Sequence, residues 1–277
     1  MATRAPMLLC AGGDIHGALD RFYADVLAFE TALGSPFDHV LHVGDFGVWP
    51  DPERIDRATR AHDGAGDFAA WRMAERPAPR STTFIAGNHE DFEFLAKHEG
   101  RDVLPGLHFL PSGGSRVIAD GIRVAGIGGC YGPRDYELPT RKLQGGARRH
   151  YTREQAEQVG RDGRVDVLLL HDAPAGTKLG RRFPSGEVQP YVSDAAGLGE
   201  AVARVKPAIA SSGTTISAWT LRSPECAASG STRWGGPAIL WRFGSSTASA
   251  TSSASGRSRA DADRPRGAGA ACTVRLS

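Results

Sequence analysis

The chain has 277 residues, of which 40% are hydrophobic and 23% are charged, enough for one substantial core. Its formal net charge of +2 gives no overall basic field that would argue for nucleic acid as a partner. The four cysteines are scattered without a CxxC spacing, which is typical of free thiols in a reducing compartment. No apolar run is long enough for a signal peptide or a bilayer span. We therefore expect a cytoplasmic protein with no membrane partner.

Five short apolar runs predict buried strands, because they are rich in aliphatic and β-branched residues. In chain order these runs are 7–11, 39–43, 82–86, 122–127 and 165–170. Apolar residues at helical spacing predict a helix from Leu19 to Leu33 that ends at Gly34. Further helices are predicted over 152–159 and 194–205, and Ser193 is the predicted N-cap of the last one. Strands that alternate with helices predict an α/β layered fold, in which ligands bind beyond the carboxyl ends of the strands.

A polar cluster directly follows four of these predicted strands. The clusters are GDIHG at 13–17, GDFG at 44–47, GNHE at 87–90 and HD at 171–172. Carboxylates and neutral imidazoles suit Mn, Fe or Zn, and an Asn side chain adds a neutral carbonyl oxygen. The glycines permit tight turns, so that short side chains can converge on one point.

Each cluster alone is weak evidence, because GD and DxH occur in many ordinary turns. The ordered set of four, each directly after an apolar strand, makes a purely structural interpretation very improbable. Six other histidines lack that context, and we expect structural roles for them: His39, His42, His62, His98, His108 and His150.

The ordered motifs resemble those of the calcineurin-like metallophosphoesterase superfamily over about 7–174. Within it, the stretches GDFGVWPD, APRSTTFIAGNHED, GIRVAGIGGCYGPRDY and VDVLLLHDAP are most similar to enzymes of the RNA lariat debranching type. Those enzymes typically have Cys where this chain has Asp14, which here restores the general superfamily pattern. Protein serine/threonine phosphatases share GDxHG and GNHE but usually carry GDxVDRG, whereas this chain has GDFGVWP.

The resemblance implies a β-sheet sandwich flanked by helices and a phosphoesterase with two divalent metal ions. It implies that Asp14 and His16 bind the first metal, that Asp45 bridges, and that Asn88 and His171 bind the second. His89 would stabilise the transition state or protonate the leaving oxygen, a role that suits an imidazole. The substrate would be a phosphodiester or a phosphomonoester, with nucleic acid or a nucleotide as candidates.

A basic stretch over 134–164 contains Arg148 and Arg149, with Tyr136 and Tyr151 interleaved. One interpretation is a loop beside the site that attracts a phosphate backbone, with the two arginines binding substrate. The other is a solvated loop and helix face.

The composition changes near Pro207. All nine histidines lie at or before His171, the last lysine is Lys206, and 245–256 contains only Ser, Thr, Ala and Gly. We therefore expect a phosphoesterase domain over 1–206 and a low-complexity, mostly disordered tail over 207–277, with one isolated strand at 234–243.

The superfamily's last motif, Gly-His-x-His, is absent, although the stretch AIASSGTTIS at 208–217 stands where it is expected. The fold would then be incomplete at its C-terminal part and the enzyme impaired. One hypothesis is that residues from about Pro207 onward are translated in a shifted reading frame. The codons of Ser211, Ser212 and Thr214–Ile216 are compatible with a Gly-His-x-His motif encoded in the other frame. The alternative function is a degenerate, non-catalytic module that binds phosphate or nucleic acid.

Overall fold

The computed structural model of the chain describes residues 7–182, 187–213, 217–219, 240–243, 248–251 and 270–276, with side chains described over 7–180 and 187–213. It confirms the α/β layered fold class. All five predicted strands are present, with ends that differ by a few residues from the predicted ones.

The first sheet contains the first three predicted strands in parallel. These are β1 (Met7–Gly13), β2 (His39–His42) and β3 (Thr82–Phe84). Two further short strands, β4 (Asp102–Leu104) and β5 (Leu107–Phe109), complete one edge, with β5 parallel to β3 and β4 antiparallel to β5.

The second sheet is built around the other two predicted strands. Its members are β6 (Ser115–Val117), β7 (Arg123–Ile127), β8 (Val167–Leu170), β11 (Ile209–Ser212) and β12 (Ser217–Trp219). Strands β7, β8 and β11 run parallel, so their carboxyl ends lie at one edge. A separate hairpin joins β9 (Lys178–Arg182) to β10 (Val188–Val192).

The two sheets pack face to face, and helices cover both outer faces. The core between the sheets contains Leu9 and Leu41 from the first sheet and Val124, Leu169 and Ile209 from the second. The outer face of the first sheet packs against α1 (Leu19–Leu33), α2 (Asp67–Met73) and α3 (Phe92–Ala96). The outer face of the second packs against α4 (Pro133–Tyr136), α5 (Arg153–Gln158) and α6 (Leu198–Val205). None of the helices in the described part of the chain is long and apolar enough to cross a bilayer.

The helix end predicted at Gly34 is confirmed, and the helix predicted over 152–159 is present as α5. Gly34 ends α1 in the left-handed conformation, with φ of 67°. Thr152 caps α5 through a reciprocal capping box with Gln155, which satisfies two otherwise unpaired N–H groups. The N-cap predicted at Ser193 is wrong: α6 begins later, after Gly197, and the Ser193 hydroxyl instead donates to the Ala173 carbonyl at 2.6 Å.

Three more strands are described near the end of the chain. They are β13 (Leu240–Phe243), β14 (Ala248–Thr251) and β15 (Ala270–Leu276). Strand β15 pairs antiparallel with β1, and β13 pairs with both β14 and β15, so the strand predicted at 234–243 is not isolated. The rest of 207–277, except 207–213 and β12, lies outside the described residues, and the domain boundary near Lys206 stays a prediction.

Candidate metal centre

The four polar clusters meet at the carboxyl ends of β1, β2, β3 and β8. Asp14 and His16 follow β1 and Asp45 follows β2, and one potential ligand atom from each lies within 4.8 Å of the other two. The His16 Nε2 atom is 3.7 Å from Asp45 Oδ2. His171, after β8, places its Nε2 atom 3.7 Å from Asp45 Oδ1. Asp45 therefore lies between the two histidines.

The backbone at these turns adopts an unfavourable conformation. Asp14, His16 and Asp45 have φ of 55°, 48° and 51°, and they are three of only six non-glycine residues with positive φ in the described chain. Three backbone hydrogen bonds join the turns, from Asp14 N to Gly44 O at 3.0 Å, from His16 N to Asp45 O at 2.9 Å and from Gly17 N to Phe46 O at 2.9 Å. Strained residues of this kind persist where the surrounding structure holds them, and they concentrate at functional sites.

The GNHE turn packs directly on Asp45. Its Oδ1 atom accepts hydrogen bonds from the backbone N–H groups of Asn88 at 2.7 Å and His89 at 2.9 Å. A Cβ atom on Gly87 would lie 2.0 Å from the same oxygen, so only glycine permits this approach. The turn thereby orients the Asp45 carboxylate and leaves Oδ2 directed toward His16.

The buried His171 ring has a defined tautomer. Its Nδ1 atom is 2.9 Å from the Val43 carbonyl oxygen, which can only accept, so Nδ1 carries a hydrogen. Its Nε2 atom is 3.0 Å from Asn88 Oδ1 and 3.7 Å from Asp45 Oδ1. Burial lowers the pKa of His171, but the Asp45 and Asp14 carboxylates outweigh it, and the net shift is upward. A positive charge is therefore favoured where Asn88, Asp45 and His171 meet.

Burial controls the charges of Asp14 and His16, the two side chains that follow β1. It raises the pKa of Asp14 to about 7, with the neighbouring His171 opposing the shift. It lowers the pKa of His16 to about 4, although Asp45 acts in the other direction. A neutral His16 at physiological pH presents a lone pair, as a metal ligand must.

His89 lies beside the cluster, paired with a residue that sequence reasoning missed. Its Nδ1 atom is 2.7 Å from Asp56 Oδ2, and its ring centroid is 5.5 Å from that of His16. Several hydrogen bonds, from Thr59 and from His89, outweigh desolvation and lower the pKa of Asp56, which keeps the carboxylate charged. Asp56 stands in a loop after β2 with no motif around it, so no pattern in the sequence identified it.

Glu90 is a buried connector rather than a ligand. Its carboxylate accepts N–H hydrogen bonds from Phe46 at 2.7 Å, Gly47 at 3.0 Å, Val48 at 2.7 Å and Gly87 at 3.4 Å. Burial and the Asp45 charge raise the pKa of Glu90 to about 8, against the effect of these donors. The loops after β2 and β3 are thereby held in one arrangement.

His62, which we expected to be structural, also reaches the site. Its ring is stacked on that of His16, with centroids 4.2 Å apart and planes inclined by 17°.

The two arginines predicted to bind substrate are placed differently. Arg148 makes an exposed ion pair with Glu99 at 3.3 Å. Arg149 lies near Cys130. Burial, together with Asp172 and Asp45, raises the pKa of the Cys130 thiol to about 11, and the Arg149 charge opposes that shift. Tyr136 and Tyr151 are buried in the core of the second sheet, so they offer no stacking surface to a nucleic acid.

Strand β11 also ends at this site. The N–H of Gly213, directly after the strand, donates to the carbonyl oxygens of Leu170 at 3.1 Å and His171 at 3.0 Å. Residues 209–213 supply no His or carboxylate, and 214–216 lie outside the described residues.

No family model matches the chain. It is 31% identical to the lariat debranching enzyme of Drosophila melanogaster over 183 residues, which are 61% of this chain and 34% of that protein. It is 30% identical to the Schizosaccharomyces pombe enzyme of that name over 180 residues, 59% of this chain and 36% of the relative. The chain is similar to lariat debranching enzymes.

A third lariat debranching enzyme, from Entamoeba histolytica, is 24% identical over 217 residues, 74% of this chain and 61% of the relative. The chain thus spans only about a third of the length of the Drosophila and fission yeast lariat debranching enzymes that it matches.

The donor set fits divalent metal ions. It combines carboxylates, imidazoles and an amide oxygen, which suit Mn, Fe or Zn. Asp14, His16 and Asp45 are close enough to share one cation, and Asn88 and His171 converge on the other side of Asp45. His89 would lie outside this set, and its assignment as a non-ligand stays a prediction.

Proposed function

We propose that the chain is a metal-dependent phosphoesterase whose site holds two divalent cations, with Asp14 and His16 at one, Asn88 and His171 at the other, and Asp45 between them. The observation that carries this proposal is the position of Asp45, whose two carboxylate oxygens each lie 3.7 Å from a different histidine. When bound, such a metal pair would neutralise phosphate charge and acidify a water nucleophile.

The chain's own residues supply proton transfer and orientation. The Asp56 carboxylate accepts a hydrogen bond from His89 Nδ1, which leaves Nε2 to exchange a proton with the substrate. A protonated His89 can donate that proton to the leaving oxygen, a contribution worth about 10² to 10⁴ in rate. Glu90 and Gly87 hold the turns that set the Asp45 and His89 geometry.

The relatives support a substrate class. Because their name describes debranching of lariats, we place the substrate among phosphodiesters of branched nucleic acid. Arg149, whose charge acts on the Cys130 thiol, is kept as a substrate-binding residue, whereas Arg148 is paired with Glu99. A cytoplasmic location stays a prediction.

The activity is tested with Mn²⁺ and bis(p-nitrophenyl) phosphate, a generic aryl phosphodiester. We expect slow, metal-dependent turnover that EDTA removes and that His89→Ala lowers. Turnover that is unaffected by both EDTA and the His89 substitution would contradict the proposal.

The alternative is a degenerate module that binds phosphate or nucleic acid without turnover. The end of β11 favours it, since Gly213 touches His171 yet residues 209–213 supply no ligand. Replacing Thr214→His together with Ile216→His adds two imidazoles just after Gly213. Increased Mn²⁺ affinity and turnover in this double variant would support an impaired enzyme, and turnover that stays absent would support the non-catalytic module.

A further inference from the structure

The His16 ring lacks the usual support of a metal-binding histidine. Such a histidine almost always donates its second ring N–H to a carboxylate, a carbonyl or water, which fixes the ring orientation. His16 Nδ1 is buried and has no hydrogen-bond partner among the described residues. Within the described residues, packing rather than a hydrogen bond supports the ring.

His62 provides that packing. The two rings are nearly parallel, at 17°, with centroids 4.2 Å apart, which brings their faces into direct van der Waals contact. The His62 side of the contact is half-exposed, whereas the His16 side chain is only 14% exposed. His62 therefore covers one face of His16.

The turn that carries His62 is itself fixed. The His62 N–H donates to the Thr59 carbonyl at 2.9 Å, and the Thr59 N–H donates to Asp56 Oδ1 at 2.8 Å. The other Asp56 oxygen pairs with His89. The Asp56 carboxylate thus holds both the proposed proton donor, His89, and the turn that carries His62 in place.

We infer that His62 is a positioning residue, which orients the His16 imidazole toward the metal by ring stacking in place of a hydrogen bond. This inference rests on the proposed function. It assigns no proton transfer and no metal bond to His62, so any flat ring at this position should serve.

The test is isothermal titration of Mn²⁺ into the metal-free full chain and its variants. His62→Gln removes the ring and keeps hydrogen-bonding capacity, and we expect it to weaken Mn²⁺ binding about tenfold, the lower end of the effect of lost ligand support. His62→Phe keeps a flat ring, and its affinity should stay near that of the unaltered chain. His98→Gln is the matched control, because the His98 ring lies against Phe94 instead, with centroids 4.1 Å apart and planes tilted by 31°.

The outcomes separate two failures. If the unaltered chain binds no Mn²⁺, the metal centre and this inference both fall. If it binds Mn²⁺ and His62→Gln binds equally well, only the positioning role is overturned. If His62→Phe weakens binding as much as His62→Gln, His62 acts through its nitrogens and the stacking argument is wrong.

Discussion

At the residue scale, the pair of His89 and Asp56 is the feature most specific to catalysis. Asp56 touches no proposed metal ligand, yet it holds His89 Nδ1 at 2.7 Å. A positioned proton donor contributes about 10² to 10⁴ in rate, and Asp56→Asn should lose part of that contribution. We therefore expect kcat to fall by at least about tenfold, with metal content unchanged. Metal analysis and steady-state kinetics of Asp56→Asn and His89→Ala test this. Loss of metal in the His89 variant would refute its role as a non-ligand.

The burial of His39 is expected to make the stability of the fold sensitive to acid. It is 4% exposed, its Nε2 atom is 2.8 Å from Thr83 Oγ1, and burial, with Arg116 and His108 nearby, lowers its pKa to about 4. Between pH 6.5 and about 4, the unfolded chain binds a proton that the folded chain does not. Folding stability is therefore lost as the pH falls through this window, by up to about 3 kcal/mol for this group.

Urea unfolding between pH 7 and pH 4 measures this effect. His39→Gln can keep the bond to Thr83 but cannot titrate, so its stability should fall less steeply with acid. Some slope remains, because burial also lowers the pKa of His42. Parallel curves for the variant and the unaltered chain would contradict the role of His39.

At the element scale, Glu90 joins the loops that follow β2 and β3. Glu90→Ala leaves four backbone N–H groups without their acceptor, at a cost of about 1–3 kcal/mol for each that stays unsatisfied. Glu90→Gln retains one acceptor oxygen and should lose less. Thermal unfolding of both checks this, with the exposed Glu93→Ala as the control. A Tm for Glu90→Ala equal to that of the control would show that the loops do not depend on Glu90.

The strands and the four clusters were predictable because each rests on local order along the chain. An apolar run followed by a glycine and a short polar residue predicts a strand end, and parallel strands bring their carboxyl ends together. Asp56 and His62 were not predictable, because their positions depend on how an irregular loop folds back over the site. Tyr136 and Tyr151 illustrate the same limit, since basic neighbours suggested exposure while tertiary packing buries both rings.

At the scale of the whole molecule, the C-terminal seventy residues differ in composition from the rest of the chain. The described core continues through β11 to Gly213, just past the boundary predicted near Lys206. We expect limited proteolysis to leave a stable fragment of about the first two hundred residues, because the later composition offers little apolar surface to bury. A chain that resists cleavage through residue 277 would refute that boundary.

The coding DNA tests the shifted-frame hypothesis independently. If residues from about Pro207 are read in a shifted frame, the alternative frame encodes Gly-His-x-His in the region of Ser212–Ile216. An alternative frame without that motif would end the hypothesis and leave the tail as genuine sequence.

The proposed metal centre depends most on Asp45, the carboxylate that two metal ions would share. Isothermal titration of Mn²⁺ into the metal-free chain tests the role of Asp45 directly. We predict weak but saturable binding to the unaltered chain and to the exposed control Asp63→Ala, and no measurable binding to Asp45→Ala, since a bridging ligand serves both cations. Mn²⁺ binding by Asp45→Ala with the stoichiometry and affinity of the unaltered chain would contradict the proposed metal centre.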